Sequence, residues 1–93
     1  MKSSKHTFAV SVEVNQATGE VIAVYFRVRK GKSARTQEFA NGNLFADYNS
    51  NGDLLGVEML APCSIRILER VTQSEPETQQ FVRRSVPRAM VLA

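Results

Sequence analysis

Ninety-three residues, 43% of them hydrophobic and 23% charged, hold one compact domain and exclude both a second core of useful size and a large enzyme cleft. Twelve Lys and Arg against nine Asp and Glu leave a net charge of +3, which permits an anionic partner without requiring one. The single cysteine, Cys63, excludes an intramolecular disulfide framework, and a chain this short buries only about 60 to 65% of its unfolded surface, which favours help from a partner or an oligomer.

The polar opening, residues 1–6, reads as a flexible tail, unlike the continuous apolar core of a signal peptide. With one cysteine and no signal, the expected compartment is a reducing cytoplasm, and no apolar run is long enough to make this a membrane protein. Phe8, Val10, Val12 and Val14 then alternate with Thr7, Ala9, Ser11 and Glu13, the period-two pattern of a strand. Turn chemistry over residues 15–19 leads into an apolar second strand over 21–26, so the two form a hairpin. Both faces of that strand start apolar: Ile22, Val24, Phe26 and Val28 on one, Val21, Ala23 and Tyr25 on the other, before Arg27 and Arg29. A strand apolar on both sides needs two covers, which points to helices on one face and a second copy on the other, with Val21, Ala23 and Tyr25 as the self-association surface of a homodimer.

Lys30, Gly31 and Lys32 mark a turn, and residues 34–39 read as a mostly polar, edge-like third strand broken by Ala40, Asn41 and Gly42. Residues 44–48 and 54–59 make the fourth and fifth strands about a turn at 49–53, and the short connections imply an antiparallel meander over 7–60. Residues 64–86 change character. Ser64 can cap a short helix with Ile65, Leu68 and Val71 on one side, although Ile65, Ile67 and Val71 also suit a sixth strand. Ser74 and Glu77 form a capping-box pattern ahead of the stripe Thr78, Phe81, Val82, Ser85 and Val86, which predicts a helix over about 75–85, stopped by Pro87. The last residues form an apolar tail able to dock on the sheet. The expected fold is therefore α+β, one domain over 1–93: a five-stranded antiparallel β-meander with one or two short C-terminal helices on one face. Ile22, Val24 and Phe26 should meet Phe81 and Val82.

From Asp47 the chain reads DYNSNGDLLGVE, which fits the EF-hand calcium-loop expression with Asp47, Asn49, Asn51, Gly52 and Glu58 in the liganding and turn positions. An EF-hand needs flanking helices, however, and Asn41, Gly42 and Pro62 leave no room for them; the same letters turn a hairpin. Nucleophilic catalysis needs a base beside the nucleophile, but the only histidine, His6, lies in the tail, so Cys63 and Ser64 carry no triad; Cys63 reads as gap filler and His6 as solvated. No metal site, phosphate loop or cofactor is expected. Asp47 and Glu58, on the two arms of one hairpin, are the acid/base pair of a rival reading as a small enzyme. Tyr25, Arg27, Arg29, Lys30, Lys32 and Arg35 gather around one turn and support a second rival, nucleic-acid contact; Glu13, Glu20 and Glu38 offset them.

The blocks EVIAVYFRVRKGKSARTQEF and LFADYNSNGDLLGVEML resemble a family of small bacterial proteins known as domain of unknown function twenty-two eighty-three. The first block sets an apolar strand, a basic Gly turn and an Ala-Arg-Thr-x-Glu strand in order. The second matches an apolar pair, Asp-Tyr, a polar Gly turn and Leu-x-Gly-Val-Glu. Asn49 and Asn51 stand where acidic residues are common in that family. The resemblance brings no functional residues, but some members lie beside ribonuclease-like toxins, which implies an antitoxin role and a cognate toxin-like partner. The function expected of this chain is accordingly that of a non-enzymatic protein-binding module.

Overall fold

The computed structural model describes residues 5–92. The first four residues of the expected tail lie outside the described residues. Five strands, β1 (Ala9–Val14), β2 (Val21–Arg27), β3 (Arg35–Phe39), β4 (Leu44–Tyr48) and β5 (Leu54–Met59), form one antiparallel sheet. A two-residue strand β6 (Cys63–Ser64), helices α1 (Ile65–Val71) and α2 (Pro76–Ser85), and a final strand β7 (Val91–Leu92) parallel to β6 complete the α+β fold.

The strand order is β1-β2-β5-β4-β3, which corrects the expected continuous meander. β3, β4 and β5 do follow one another, but β5 then pairs with β2, with Phe26 opposite Val57. Burial explains the order. β5 is buried at five of its six positions and needs neighbours on both sides, whereas β3, RTQEF, is exposed over its first four residues and suits an edge. The link from β2 to β3 is long enough to cross the end of the sheet, and its first residues, Val28 and Arg29, are themselves buried.

The turns follow local chemistry. Asn15 Oδ1 accepts from the amides of Ala17 and Thr18 in the β1–β2 hairpin. Asn49 Oδ1 accepts from Asn51 and Asp53, and Gly52 takes φ +85°. Strands flank this second turn, so the segment that matches a calcium loop is the tip of a hairpin. Ser64 caps α1 by accepting from the Arg66 amide, which settles residues 65–71 as helix. At α2 the cap is Glu75 rather than Ser74, because Pro76 is favoured at the first helical position and fixes the start there.

Val24, Phe26, Val28, Leu44, Ala46, Val57 and Met59 face the helices and pack with Leu68, Val82 and Met90. Phe26 meets Phe81 edge to face at 6.0 Å. Ile22 does not join them: it lies 43% exposed, beside a register shift between β1 and β2 that lets Val14 pair with Val21. The tail docks as expected, with Met90 buried and Val91 paired to Cys63.

Candidate functional site

An open groove of about 710 Å³ runs between the start of β1 and α2, lined by His6, Phe8, Pro76, Glu77, Gln80, Phe81, Arg84 and Ser85. Its floor is a run of stacked rings: His6 on Phe8 at 4.6 Å and Phe8 on Phe81 at 4.5 Å, each pair inclined by 18°. Glu77 and Arg84 stand on the exposed surface of α2 along its rim, about two turns apart.

Beneath one end of the groove lies a polar network. Arg29, only 2% exposed as a residue, donates from its guanidinium to both carboxylate oxygens of Glu75 at 3.2 and 3.0 Å, and also to the Leu54 carbonyl. Thr78 Oγ1 donates to Glu75 at 2.7 Å. His6 Nε2 lies 3.5 Å from Glu75, and Nδ1 lies 3.3 Å from Glu77. Burial opposes the charge on Glu75, yet the bonds from Arg29 and Thr78, the Arg29 charge and the His6 contact outweigh it and hold the carboxyl below its ordinary range. His6 therefore ties the segment just ahead of β1 to α2, which corrects its expected place in a solvated tail.

Arg29 is the second correction. Strict alternation sets it with Tyr25 and Arg27, but the amides of Val28 and Arg29 both donate to the Leu55 carbonyl, a bulge-like irregularity that breaks the alternation and lets Arg29 follow Val28 into the interior. Its charge is thus neutralised by Glu75 and withdrawn from the basic turn. Arg27, Lys30 and Lys32 remain exposed, and Arg35 lies over the Tyr48 ring at 4.3 Å. Elsewhere Arg83 pairs with Glu69 at 2.7 Å and Arg84 bonds Gln80 at 3.1 Å.

The other face of the sheet carries no helix among the described residues. Ser11, Glu13, Ala23, Tyr25, Arg27, Phe45, Asp47, Gly56 and Glu58 share it by register. Val21 and Ala23 are half-buried, and Tyr25 lies flat across Gly56, where any Cβ would overlap its phenol. The sheet thus covers Gly56 on this face with its own tyrosine, beside the half-buried Val21 and Ala23 expected at a self-association surface. Burial, aided by Asp47 and Glu58 and opposed by Arg27, raises the Tyr25 phenol above its ordinary value. Asp47 sits opposite Gly56 and Glu58 opposite Phe45, so the two carboxylates are diagonal neighbours on the sheet surface. The Thr36 hydroxyl donates to Asp47 at 2.6 Å. A shallow depression of about 250 Å³ reaches Glu58 from Ser11, Glu13 and Ala23.

Cys63 is buried, with Sγ 3.3 Å from the Ala61 carbonyl, and desolvation raises its thiol above the ordinary value. It fills a gap beneath α1, as its neighbours in the core indicate. No family model, curated protein or solved structure matches this chain.

Proposed function

We propose that this chain is a non-enzymatic protein-binding module and that the groove between β1 and α2 is where it grips a polypeptide segment. The observation that carries this reading is the floor of stacked rings from His6 to Phe81, bordered by an acidic residue, Glu77, and a basic one, Arg84. An aromatic floor between charges of opposite sign suits an extended peptide, whose apolar side chains rest on the rings while its charged groups meet the rim. His6 supports binding over catalysis, because its two ring nitrogens face the carboxylates of Glu75 and Glu77 and hold the groove wall in place. The family resemblance makes the reading sharper: the partner is a toxin-like protein and the chain its antitoxin.

Co-expression with the product of the neighbouring gene, followed by affinity capture, tests both levels. The antitoxin version requires that this product be a small nuclease and co-purify with the chain. Reversing the rim charges by Glu77→Lys and Arg84→Glu should then weaken capture about tenfold, a change worth about 1.4 kcal/mol. Both residues are exposed on α2, so the circular dichroism spectrum should stay as it was. Capture indifferent to both changes would move the contact away from the groove.

A further inference from the structure

The two edges of the sheet are unlike each other. β3 is guarded in the manner of natural edge strands: two of its five residues, Arg35 and Glu38, are charged, Arg35 is laid over Tyr48, and Thr36 is bonded to Asp47. β1 is unguarded. All six of its residues are exposed, Glu13 is its one charge, and it holds neither proline nor lysine. Along one side run Val10, Val12 and Val14, each 42 to 45% exposed, with Ile22 of β2 at 43% beside them.

We propose that β1 is a self-association edge: two copies of this chain pair β1 with β1, antiparallel about a two-fold axis, and join their sheets into one. This surface is separate from the groove and does not depend on the binding proposed there. Three observations select a second copy as the occupant. The first is cover. Phe81 of α2 stacks on Phe8 at the start of the β1 stripe and meets Phe26 of β2, leaving Val12, Val14 and Ile22 bare. Antiparallel pairing sets the Phe8 end of each copy, with its α2, beside the bare end of the other. The second is charge. Lys5 precedes the strand and Glu13 lies near its finish, so antiparallel pairing brings Lys5 of one copy toward Glu13 of the other, whereas a parallel arrangement sets like against like. The third is register. The side-chain period of two restricts the pairing to registers that keep both valine stripes on one side of the joined sheet, the side of the helices, where they merge into one apolar strip. Four half-exposed apolar side chains fall well short of the ~800 Å² per partner of a standard interface, so the dimer is a weak one with main-chain bonds supplying the rest.

Sedimentation equilibrium of the full chain at tens of micromolar tests this. A monomer–dimer equilibrium is expected, weakened about tenfold or more by Val12→Lys, because a lysine on an edge strand blocks pairing. Val12 is already exposed, so the melting temperature at low concentration should hold steady. Gln37→Lys on β3 should leave association unchanged. Lys5→Glu and Glu13→Lys should each weaken the dimer, and the two combined should restore it. A monomer throughout, a dimer indifferent to Val12→Lys, or a double variant no better than the singles would each overturn the proposal. The groove reading is judged separately, by the Glu77 and Arg84 variants.

Discussion

Arg29 and Glu75 are unequal partners, and the inequality is measurable. Replacing Glu75 by Leu strands a guanidinium whose side chain is 1% exposed and which cannot give up its proton, leaving it only the Leu54 carbonyl. Breaking a buried pair in this way costs about 3–5 kcal/mol. Replacing Arg29 by Leu strands a carboxylate that is 25% exposed, still bonded by Thr78, near His6 and free to take up a proton. That loss should be smaller, about 2 kcal/mol, mostly from the unmet Leu54 carbonyl and the weakened Glu75 bonds. The double Leu variant removes both charges and should fall well short of the sum, by about 2 kcal/mol, since well-packed apolar side chains often replace a buried pair at little cost. Against a total stability of about 5–14 kcal/mol for a chain of this length, the Glu75 variant alone gives up about a fifth or more. Urea unfolding followed by far-ultraviolet circular dichroism, with the denaturant slope unchanged, reads all three values. The reasoning is refuted if Glu75→Leu costs less than about 1 kcal/mol, if Arg29→Leu is the costlier change, or if the two changes simply add.

The Glu75 carboxyl is held below its ordinary range, so the stability it contributes is fully present above the ordinary glutamate value of about 4.3 and is lost as the pH falls through its folded value. Melting temperatures followed from neutral pH into acid should show the advantage of wild type over Glu75→Gln shrinking on the acid side of that point; a constant advantage would contradict the coupling. Gly56→Ala drives a methyl group into Tyr25 and toward the Phe26 carbonyl at 2.9 Å, and should cost about 1–3 kcal/mol by urea unfolding. Adding Tyr25→Ala should recover part of that loss relative to Tyr25→Ala alone, and an additive pair would show that the tyrosine does not lie where the structure places it.

The five strands were legible because each alternates or runs apolar between turn residues with a clear mechanism: Asn15, Asn49 and Gly52 fold their own backbone. The order of the strands was misjudged as a continuous meander, because connection length was given more weight than polarity. A continuous meander would set RTQEF, the most polar strand, in the middle and leave Leu54–Met59, the most apolar, at an edge; burial reverses both. The site was harder to read. Period-two reasoning assigns every side chain to a face, and the paired amides of Val28 and Arg29 on one carbonyl break that period just where the network begins. Nothing near Arg29 in sequence names its partner, because Glu75 is separated from it by 46 positions. His6 was misplaced for a related reason: its neighbours are polar, and the rings that hold it come from Phe8 and, through it, Phe81.

Removing Arg29 from the surface also changes the balance between protein and nucleic-acid partners. The basic turn keeps Arg27, Lys30 and Lys32, but Arg27 shares its sheet face with Asp47 and Glu58, and Arg35 rests on Tyr48. A phosphate backbone approaching that face would meet carboxylates as well as cations, and phosphate affinity scales with the number of charges neutralised. The apolar exposed surface, in contrast, is concentrated on the other side, along β1 and into the groove under α2. Exposed valines on an unguarded edge raise the risk of uncontrolled pairing, and such an edge is tolerable when something of matching shape covers it. The acid-rich sheet face and the neutralised arginine therefore weigh in the same direction as the bare strand and support the proposal that this small domain meets polypeptide rather than nucleic acid.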